Sequence, residues 1–176
     1  MTINLKNFLN TKPKISKMGE FQELKPIDGL EISSYSADLY KNGRDDIALF
    51  YFKEGANYAA LYTTNSITSQ TIEWNKKSNK SFTKGLLVNT KNANTFTGNN
   101  GLESIDVLAK NLSRILTIRE SKSDEGVSET VKIKDLLFAS TGVIGEKFPT
   151  EKIVSSLQNL VDKLRDDHNK LIWIKT

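Results

Sequence analysis

Two short stretches of small polar residues and glycine contain the side chains that could do chemistry. The first spans Val88–Gly101, and the second, Ala139–Gly145, reads Ala-Ser-Thr-Gly-Val-Ile-Gly. Each follows an apolar run rich in β-forming residues and precedes an amphipathic helical pattern. Where a strand leads into a helix, glycine lets the backbone approach a ligand, and unpaired N–H groups carry partial positive charge. The two stretches therefore predict a site for an anion or a polarised carbonyl oxygen.

The sequence offers little for other catalytic designs. It contains no cysteine, which excludes disulfides, thiolate nucleophiles and thiolate metal sites. Its single histidine, His168, lies among Asp166, Asp167 and Lys170, so a solvated helix end explains it better than a catalytic triad or a metal site. Gly142–Lys147 does not match a phosphate-binding loop, because only two residues separate its glycines. We expect no metal.

Length and composition indicate one globular domain, residues 1–176, with 38% hydrophobic residues. The first 19 residues contain four lysines and no apolar centre, so we expect a flexible arm over 1–19 and no secretory signal. This segment also lacks the arginines typical of organelle transit peptides. No run approaches the roughly 18 to 20 apolar residues of a membrane helix. We therefore expect a cytoplasmic protein without a membrane partner.

A basic cluster around residue 80 raises a second interpretation. Four lysines occur between Lys76 and Lys84, with Trp74 and Phe82 nearby, and basic residues interleaved with aromatics can bind single-stranded nucleic acid. A solvated loop between two apolar runs is the simpler explanation, because no nucleic-acid-binding motif accompanies the cluster. We therefore expect no nucleic-acid partner.

Hydrophobic patterning predicts a layered α/β (α+β) domain. Short apolar runs predict four strands, at Ile47–Phe52, Asn57–Thr64, Gly85–Asn89 and Leu136–Ser140.

Apolar residues three and four apart predict two helices, Leu102–Ile118 and about Thr150–Asp166, the second with Thr150 as its N-cap. Arg119–Lys134 is polar and without a period until Val131, which predicts a mobile surface excursion.

The two polar stretches, in this order, resemble blocks of the bifunctional ornithine acetyltransferase/glutamate N-acetyltransferase family of arginine biosynthesis. Val88–Asn94 is similar to the family's Val-Asn-Ser-Gly-Asn-Ala-Asn, and Ser140–Gly145 to its Ser-Thr-Gly-Val-Ile-Gly. Less specific likenesses occur at Gly29–Glu31, Arg44–Leu49 and Tyr62–Asn65.

Within the first block, Lys91 stands where the family has glycine, and lysine disfavours the positive φ that glycine allows.

The resemblance implies an αββα sandwich and an enzyme that cleaves its own chain, exposing a threonine at the N-terminus of a β chain. That threonine takes acetyl from N2-acetylornithine and passes it to glutamate, without a metal or other cofactor. Some members also accept acetyl-CoA as donor. A free α-amine with a pKa near 8 can act as local base for the threonine hydroxyl. The resemblance thus implies a multifunctional cytoplasmic acyltransferase that matures by autocatalytic cleavage.

By motif match, the resemblance assigns the oxyanion hole to Thr141 and Gly142. It gives a weaker role to Asn92, Asn94, Thr97 and Gly98, which would shape the pocket or hold the Thr141 turn in place. Thr176 lacks the motif around the family's nucleophile, so this chain corresponds to the N-terminal, α-chain part of a longer precursor and supplies no nucleophile.

We expect this chain to be inactive alone and to assemble with its β chain in an α2β2 heterotetramer. Strands meant for the β chain would leave open edges and favour self-association. A non-catalytic or truncated anion-binding module of the same fold is the alternative.

Overall fold

The computed structural model describes residues 26–78, 80–122 and 130–166, which contain one four-stranded sheet and three α-helices. The elements are β1 (Leu30–Tyr35), β2 (Ile47–Asn57), α1 (Gln70–Lys77), β3 (Phe82–Asn89), α2 (Gly98–Glu120), a 3-10 turn (Ile133–Asp135), β4 (Leu136–Ser140) and α3 (Thr150–Asp162). The strand order is β1-β2-β3-β4. The pairs β1–β2 and β2–β3 are antiparallel, whereas β3 and β4 are parallel. The α/β class predicted from the sequence is confirmed.

One face of the sheet forms the hydrophobic core with α2 and α3. The strand register places Leu49, Leu87 and Phe138 on this face, and all three are buried. Burial of such apolar side chains is the main favourable term in folding. The helices contribute apolar residues at spacings of three and four, namely Ile105, Leu108, Leu112, Ile115 and Leu116 from α2 and Ile153, Leu157, Leu160 and Val161 from α3.

The opposite face of the sheet is also apolar but lies outside this core. Ala48 and Lys84 on this face are buried, but six of its apolar side chains from β2, β3 and β4 are only partly buried. They are Phe50, Phe52, Leu86, Val88, Leu137 and Ala139. A sheet that is apolar on both faces is typical of an inner layer of a multilayered fold.

Helix α1 covers the outer edge of β4. The Asn75 carboxamide donates to the Phe138 carbonyl (2.8 Å) and accepts from the Phe138 N–H (3.0 Å), as a neighbouring strand would. The Trp74 indole donates to the Leu136 carbonyl (3.2 Å). At the other end of the sheet, Ile32 and Arg165 exchange backbone hydrogen bonds of 2.9 and 3.3 Å. The expectation of open strand edges is therefore wrong at these two places, since local groups cover them.

Three of the four predicted strands are confirmed, because Ile47–Phe52, Gly85–Asn89 and Leu136–Ser140 lie within β2, β3 and β4. The predicted strand Asn57–Thr64 is wrong. The chain from Lys53 continues β2 through a register shift between Tyr51 and Ala56, and the strand ends at Asn57. Tyr58 N–H still donates to Ser81 O (3.0 Å), but no described strand pairs with residues 59–64, so their apolar composition alone does not make a strand.

Both predicted helices are confirmed with different ends. Helix α2 begins at Gly98, and α3 ends at Asp162, after which Arg165 pairs with β1. Thr150 is not the N-cap of α3, because Pro149 occupies that position and the Thr150 hydroxyl donates to Ser104 Oγ (2.8 Å).

The surface excursion predicted for Arg119–Lys134 falls partly on residues 123–129, which lie outside the described residues, and helix α2 includes its first two residues. The predicted arm 1–19 and His168 also lie outside them. No helix among the described residues is long and apolar enough to cross a bilayer.

A charged cluster joins the C-terminal end of α2 to β1 and β2. Glu31 is 5% exposed, its Oε1 accepts a hydrogen bond from Arg119 Nη2 (2.9 Å), and its Oε2 lies 2.7 Å from Arg119 Nη1 in an ion pair. Burial opposes the charge on Arg119, but the Glu31 carboxylate outweighs burial and raises the pKa of Arg119. Burial and the hydrogen bond to Glu120 raise the pKa of Tyr51, so the phenol stays neutral and donates to Glu120 Oε1 (2.8 Å).

Removal of Arg119 tests the importance of this cluster. We expect Arg119→Met to lower the free energy of unfolding by about 3–5 kcal/mol, because it leaves the buried Glu31 charge without its main partner. Lys110→Met is the control, since it breaks an exposed pair with Asp106 on the same helix and should cost at most about 1 kcal/mol. Urea denaturation measures both, and equal losses would show that the buried pair contributes nothing special.

Candidate functional site

The two polar stretches lie side by side at the carboxyl ends of the neighbouring strands β3 and β4. The carboxyl ends of parallel neighbours meet at the same edge, so the β3–α2 loop (residues 90–97) runs beside the β4–α3 loop (residues 141–149). Backbone hydrogen bonds continue the ladder between them. Thr141 N–H donates to Asn89 O (3.1 Å), and Val143 N–H donates to Lys91 O (2.8 Å). Ala93 N–H in turn donates to Val143 O (3.0 Å).

Gly142 lies between the bonds made by the Thr141 and Val143 N–H groups and packs directly against the Lys91–Asn92 peptide. A Cβ at this position would overlap the Lys91 carbonyl and lie 2.6 Å from Asn92 N. Its φ of +136° lies in a region open essentially to glycine. The backbones can meet this closely only because Gly142 has no side chain.

Thr141 and Gly142 present two hydrogen-bond donors at the surface. Both residues are exposed, and neither the Thr141 hydroxyl nor the Gly142 N–H bonds to any part of the chain that the structure describes. Since successive N–H groups alternate along an extended chain, the Gly142 N–H lies on the side away from Lys91. Two adjacent donors of this kind can bind an anionic oxygen.

Asn92 fixes the far end of the β4–α3 loop. Its carboxamide, 3% exposed, donates to the carbonyls of Glu146 (3.0 Å) and Lys147 (3.2 Å) and accepts from Asn94 N–H (2.8 Å). A buried amide without partners would cost about 1–3 kcal/mol per group, so these bonds define one arrangement of the loop.

Asn94, Thr97 and Gly98 serve the start of α2. Asn94 is fully buried, donates to Gly101 O (3.1 Å) and accepts from the Thr97 hydroxyl (2.8 Å). Gly98 has a φ of +58° at the first helical position. The buried Asn94 side chain therefore links the loop to the first turn of α2.

Lys91 takes the backbone conformation that the family's glycine would allow, with φ of +73°. This conformation costs a non-glycine residue roughly 1–2 kcal/mol. The Lys91 ammonium donates to Leu39 O (2.7 Å) and lies 5.8 Å from the Tyr40 ring centre. The lysine thus preserves the loop shape and adds a contact to residues 37–40.

Sequence reasoning quoted Asn89 and Ser140 only as parts of motifs and gave them no role. Asn89 ends β3, is 4% exposed, and accepts from Ser140 Oγ (2.6 Å). Its carboxamide also donates to the carbonyls of Asn92 (3.1 Å) and Thr90 (3.2 Å). The one available signal was an amide at the end of an otherwise apolar strand.

Trp74 and two of the lysines around residue 80 make contacts within the domain. Trp74 packs edge-on against Phe138 at 5.8 Å, and the buried Lys84 donates to Lys53 O (2.5 Å). Lys76 pairs with Glu73 (3.3 Å). The described part of the chain also contains no cluster of three or more histidine and carboxylate side chains able to hold a metal ion.

Comparisons with known proteins show the family of this chain. Residues 31–174 match a family model described as the ArgJ family. Proteins named "Arginine biosynthesis bifunctional protein ArgJ" are 29% identical in Caulobacter vibrioides, over 84% of this chain, and 30% identical in Pseudomonas fluorescens, over 86% of it. Both alignments cover 34% of the relative, so the chain spans about a third of the length of these curated relatives.

Two solved structures have a similar fold at 20% sequence identity. Ornithine acetyltransferase from Mycobacterium tuberculosis, complexed with ornithine, gives a TM-score of 0.70 over 82% of this chain and 75% of that chain. The bifunctional ArgJ protein of Bacillus halodurans gives 0.64 over 74% and 62%.

A pair of glycine substitutions tests the packing at the site. Gly142→Ala should lower the free energy of unfolding by about 3 kcal/mol, since it adds overlap with the Lys91 carbonyl to backbone strain. Gly145→Ala should cost only the strain of its φ of +80°, about 1–2 kcal/mol, because no atom lies within 4 Å of its added Cβ. Thermal and urea unfolding compare the two. A smaller loss at Gly142 than at Gly145 would contradict the close contact.

Proposed function

Because this chain belongs to the ArgJ family, we propose that it forms the N-terminal part of an acetyltransferase of arginine biosynthesis. The reaction proposed for the whole protein moves acetyl from N2-acetylornithine to glutamate. The names of the matched relatives and of the ornithine-bound structure support this choice of pathway and substrate. Acetyl-CoA is a second candidate donor, and no cofactor takes part.

The contribution proposed for this chain is the oxyanion hole. The observation that carries the proposal is the exposed pair of free donors, the Thr141 hydroxyl and the Gly142 N–H, at the carboxyl edge of two parallel strands. Attack on an amide carbonyl places negative charge on its oxygen, and preplaced donors stabilise that charge more than they stabilise the ground state. Loss of one donor in comparable sites costs about 3–4 kcal/mol.

The nucleophile comes from outside this chain. In the proposed mechanism, autocatalytic cleavage exposes a threonine at the N-terminus of a β chain, and its α-amine takes the hydroxyl proton. The threonine oxygen attacks the acetyl carbonyl carbon, the C–N bond of N-acetylornithine breaks, and ornithine leaves with a proton on its amine. Glutamate's free amine then attacks the acetyl-threonine ester, which returns the hydroxyl. The same two donors on this chain serve both half-reactions.

The apolar second face of the sheet supports a partner chain. Six of its apolar side chains from β2, β3 and β4 are only partly buried, and Phe96, Val143 and Ile144 in the two neighbouring loops are exposed. Apolar side chains that remain accessible to solvent are typical of an interface. We assign it to the β chain, in a cytoplasmic α2β2 assembly whose second sheet completes an αββα sandwich.

Thr141→Val in the complete protein tests the oxyanion-hole assignment. Loss of the hydroxyl should lower kcat by about 100- to 1,000-fold while the KM for N-acetylornithine changes little, because the donor acts mainly in the transition state. Thr130→Val removes another exposed hydroxyl at a distant position and should leave turnover unchanged. Steady-state acetyl transfer to glutamate provides the readout. Wild-type kcat in Thr141→Val would remove Thr141 from the mechanism, and no transfer by the wild-type complete protein would favour the anion-binding module.

The isolated chain provides a separate test of the partner proposal. We expect it to show no acetyl transfer and to self-associate, since none of the three described helices packs over the apolar, partly buried face of its sheet. Phe50→Ser on that face should reduce self-association, whereas Ile118→Ser, an exposed apolar position on α2, should not. Light scattering after size exclusion measures the mass. A monomeric, active isolated chain would contradict the proposal.

A further inference from the structure

Asn89 has a buried carboxamide in a sheet whose other core-facing side chains are largely apolar. It is the last residue of β3, and its side chain lies on the same face as the buried Leu87. Burial of an amide in such a place is unfavourable unless its donors and acceptor are used. The contacts that use them show what the residue does.

The contacts of Asn89 reach both of the chain segments that pack together at Gly142, namely the end of β4 and the loop that follows β3. On the β4 side, its Oδ1 accepts from Ser140 Oγ at 2.6 Å, and its main-chain oxygen accepts from Thr141 N–H at 3.1 Å. On the β3 side, its Nδ2 donates to Asn92 O at 3.1 Å. Asn89 therefore fixes the residues preceding Gly142 and, through the carbonyls of Thr90 and Asn92, the peptide groups on either side of the Lys91–Asn92 peptide against which Gly142 packs.

The other buried asparagines cannot replace this function. Asn92 reaches Glu146 and Lys147 at the far end of the loop, and Asn94 reaches Gly101 in α2. Neither side chain contacts Ser140 or Thr141 among the described residues. The direction of the two exposed donors therefore depends on Asn89 more than on any other side chain of the β3–α2 loop.

We propose that Asn89 is a positioning residue, which acts through Ser140 and the Asn92 carbonyl to aim the Thr141 hydroxyl and the Gly142 N–H at one oxygen. The inference rests on the proposed function, because it adds a residue to that same site. Asn89 does not touch the substrate. A displacement of about 1 Å in a catalytic group can lower the rate a hundredfold, so loss of this support should appear in turnover.

The test is Asn89→Asp in the complete protein. Aspartate keeps the side-chain shape and the oxygen that accepts from Ser140, but it replaces the NH2 donor with a second oxygen that faces the carbonyls of Thr90 and Asn92. We expect kcat to fall by about ten- to a hundredfold with little change in the KM for N-acetylornithine. Amide hydrogen exchange at Thr141 and Val143 should accelerate in the same protein, since the ladder bonds there lose their support. This second readout does not depend on activity.

Thr83→Val is the matched control at the opposite end of the same strand pair. The buried Thr83 hydroxyl donates to Asp135 O (2.9 Å), so the change also removes a side-chain bond between β3 and the start of β4. It should lower stability by a similar amount without lowering kcat or changing exchange at Thr141. Equal loss of kcat in Thr83→Val and Asn89→Asp would reduce Asn89 to a purely structural residue.

Ser140→Ala keeps the proposal testable if Asn89→Asp does not fold, because it removes the Asn89–Ser140 bond with less disturbance. A fall in its kcat with unchanged KM supports the proposal, and wild-type kcat overturns it. If Thr141→Val is slow but Asn89→Asp and Ser140→Ala are both as fast as wild type, the positioning inference fails and the oxyanion hole stands. If Thr141→Val is also as fast as wild type, both fail.

Discussion

The site depends on the parallel pairing of β3 with β4. Parallel neighbours bring their carboxyl ends to one edge, and here the hydrogen-bond ladder continues beyond Ser140 into the loops through Thr141 and Val143. Two stretches about 50 residues apart in sequence thereby become one surface. Helix α1 hydrogen-bonds to the outer side of β4 as far as Phe138, and it does not extend to the segment around Gly142.

Glycine and asparagine perform complementary tasks in this arrangement. Gly142 lets two backbones meet without a side chain between them, while Asn89 and Asn92 satisfy the carbonyls that the loops leave without ladder partners. The buried asparagine side chains of the loops are thus bonded, and the Thr141 hydroxyl and Gly142 N–H lie on the exposed side. An environment of fixed donors needs little reorganisation when charge develops, which is the physical basis of oxyanion stabilisation.

The sequence predicts the elements whose pattern is local. Helix α2 follows from its apolar period, and β3 and β4 follow from short apolar runs. Strand β1 was missed because Glu31 and Ser33 interrupt its apolar pattern, and the partner that allows Glu31 to be buried, Arg119, lies 88 residues away. Helix α1 was missed because its eight residues are short and mostly polar.

Prediction of the site has the same limit. The motifs placed Thr141 and Gly142 through family resemblance, and that assignment stays a prediction. The support from Asn89 could not be predicted, because its bond to Ser140 joins residues 51 apart and exists only once β3 and β4 pair. Lys91 shows the converse, since a residue that disfavours positive φ adopts it where the surrounding contacts require it.

The most direct measurement is a crystal structure of the complete protein with a tetrahedral analogue of the acetyl-transfer intermediate. The account predicts that the oxygen standing for the oxyanion lies about 2.7–3.1 Å from both Thr141 Oγ1 and Gly142 N. An analogue bound with that oxygen directed at other donors, and with Thr141 and Gly142 facing solvent, would contradict it.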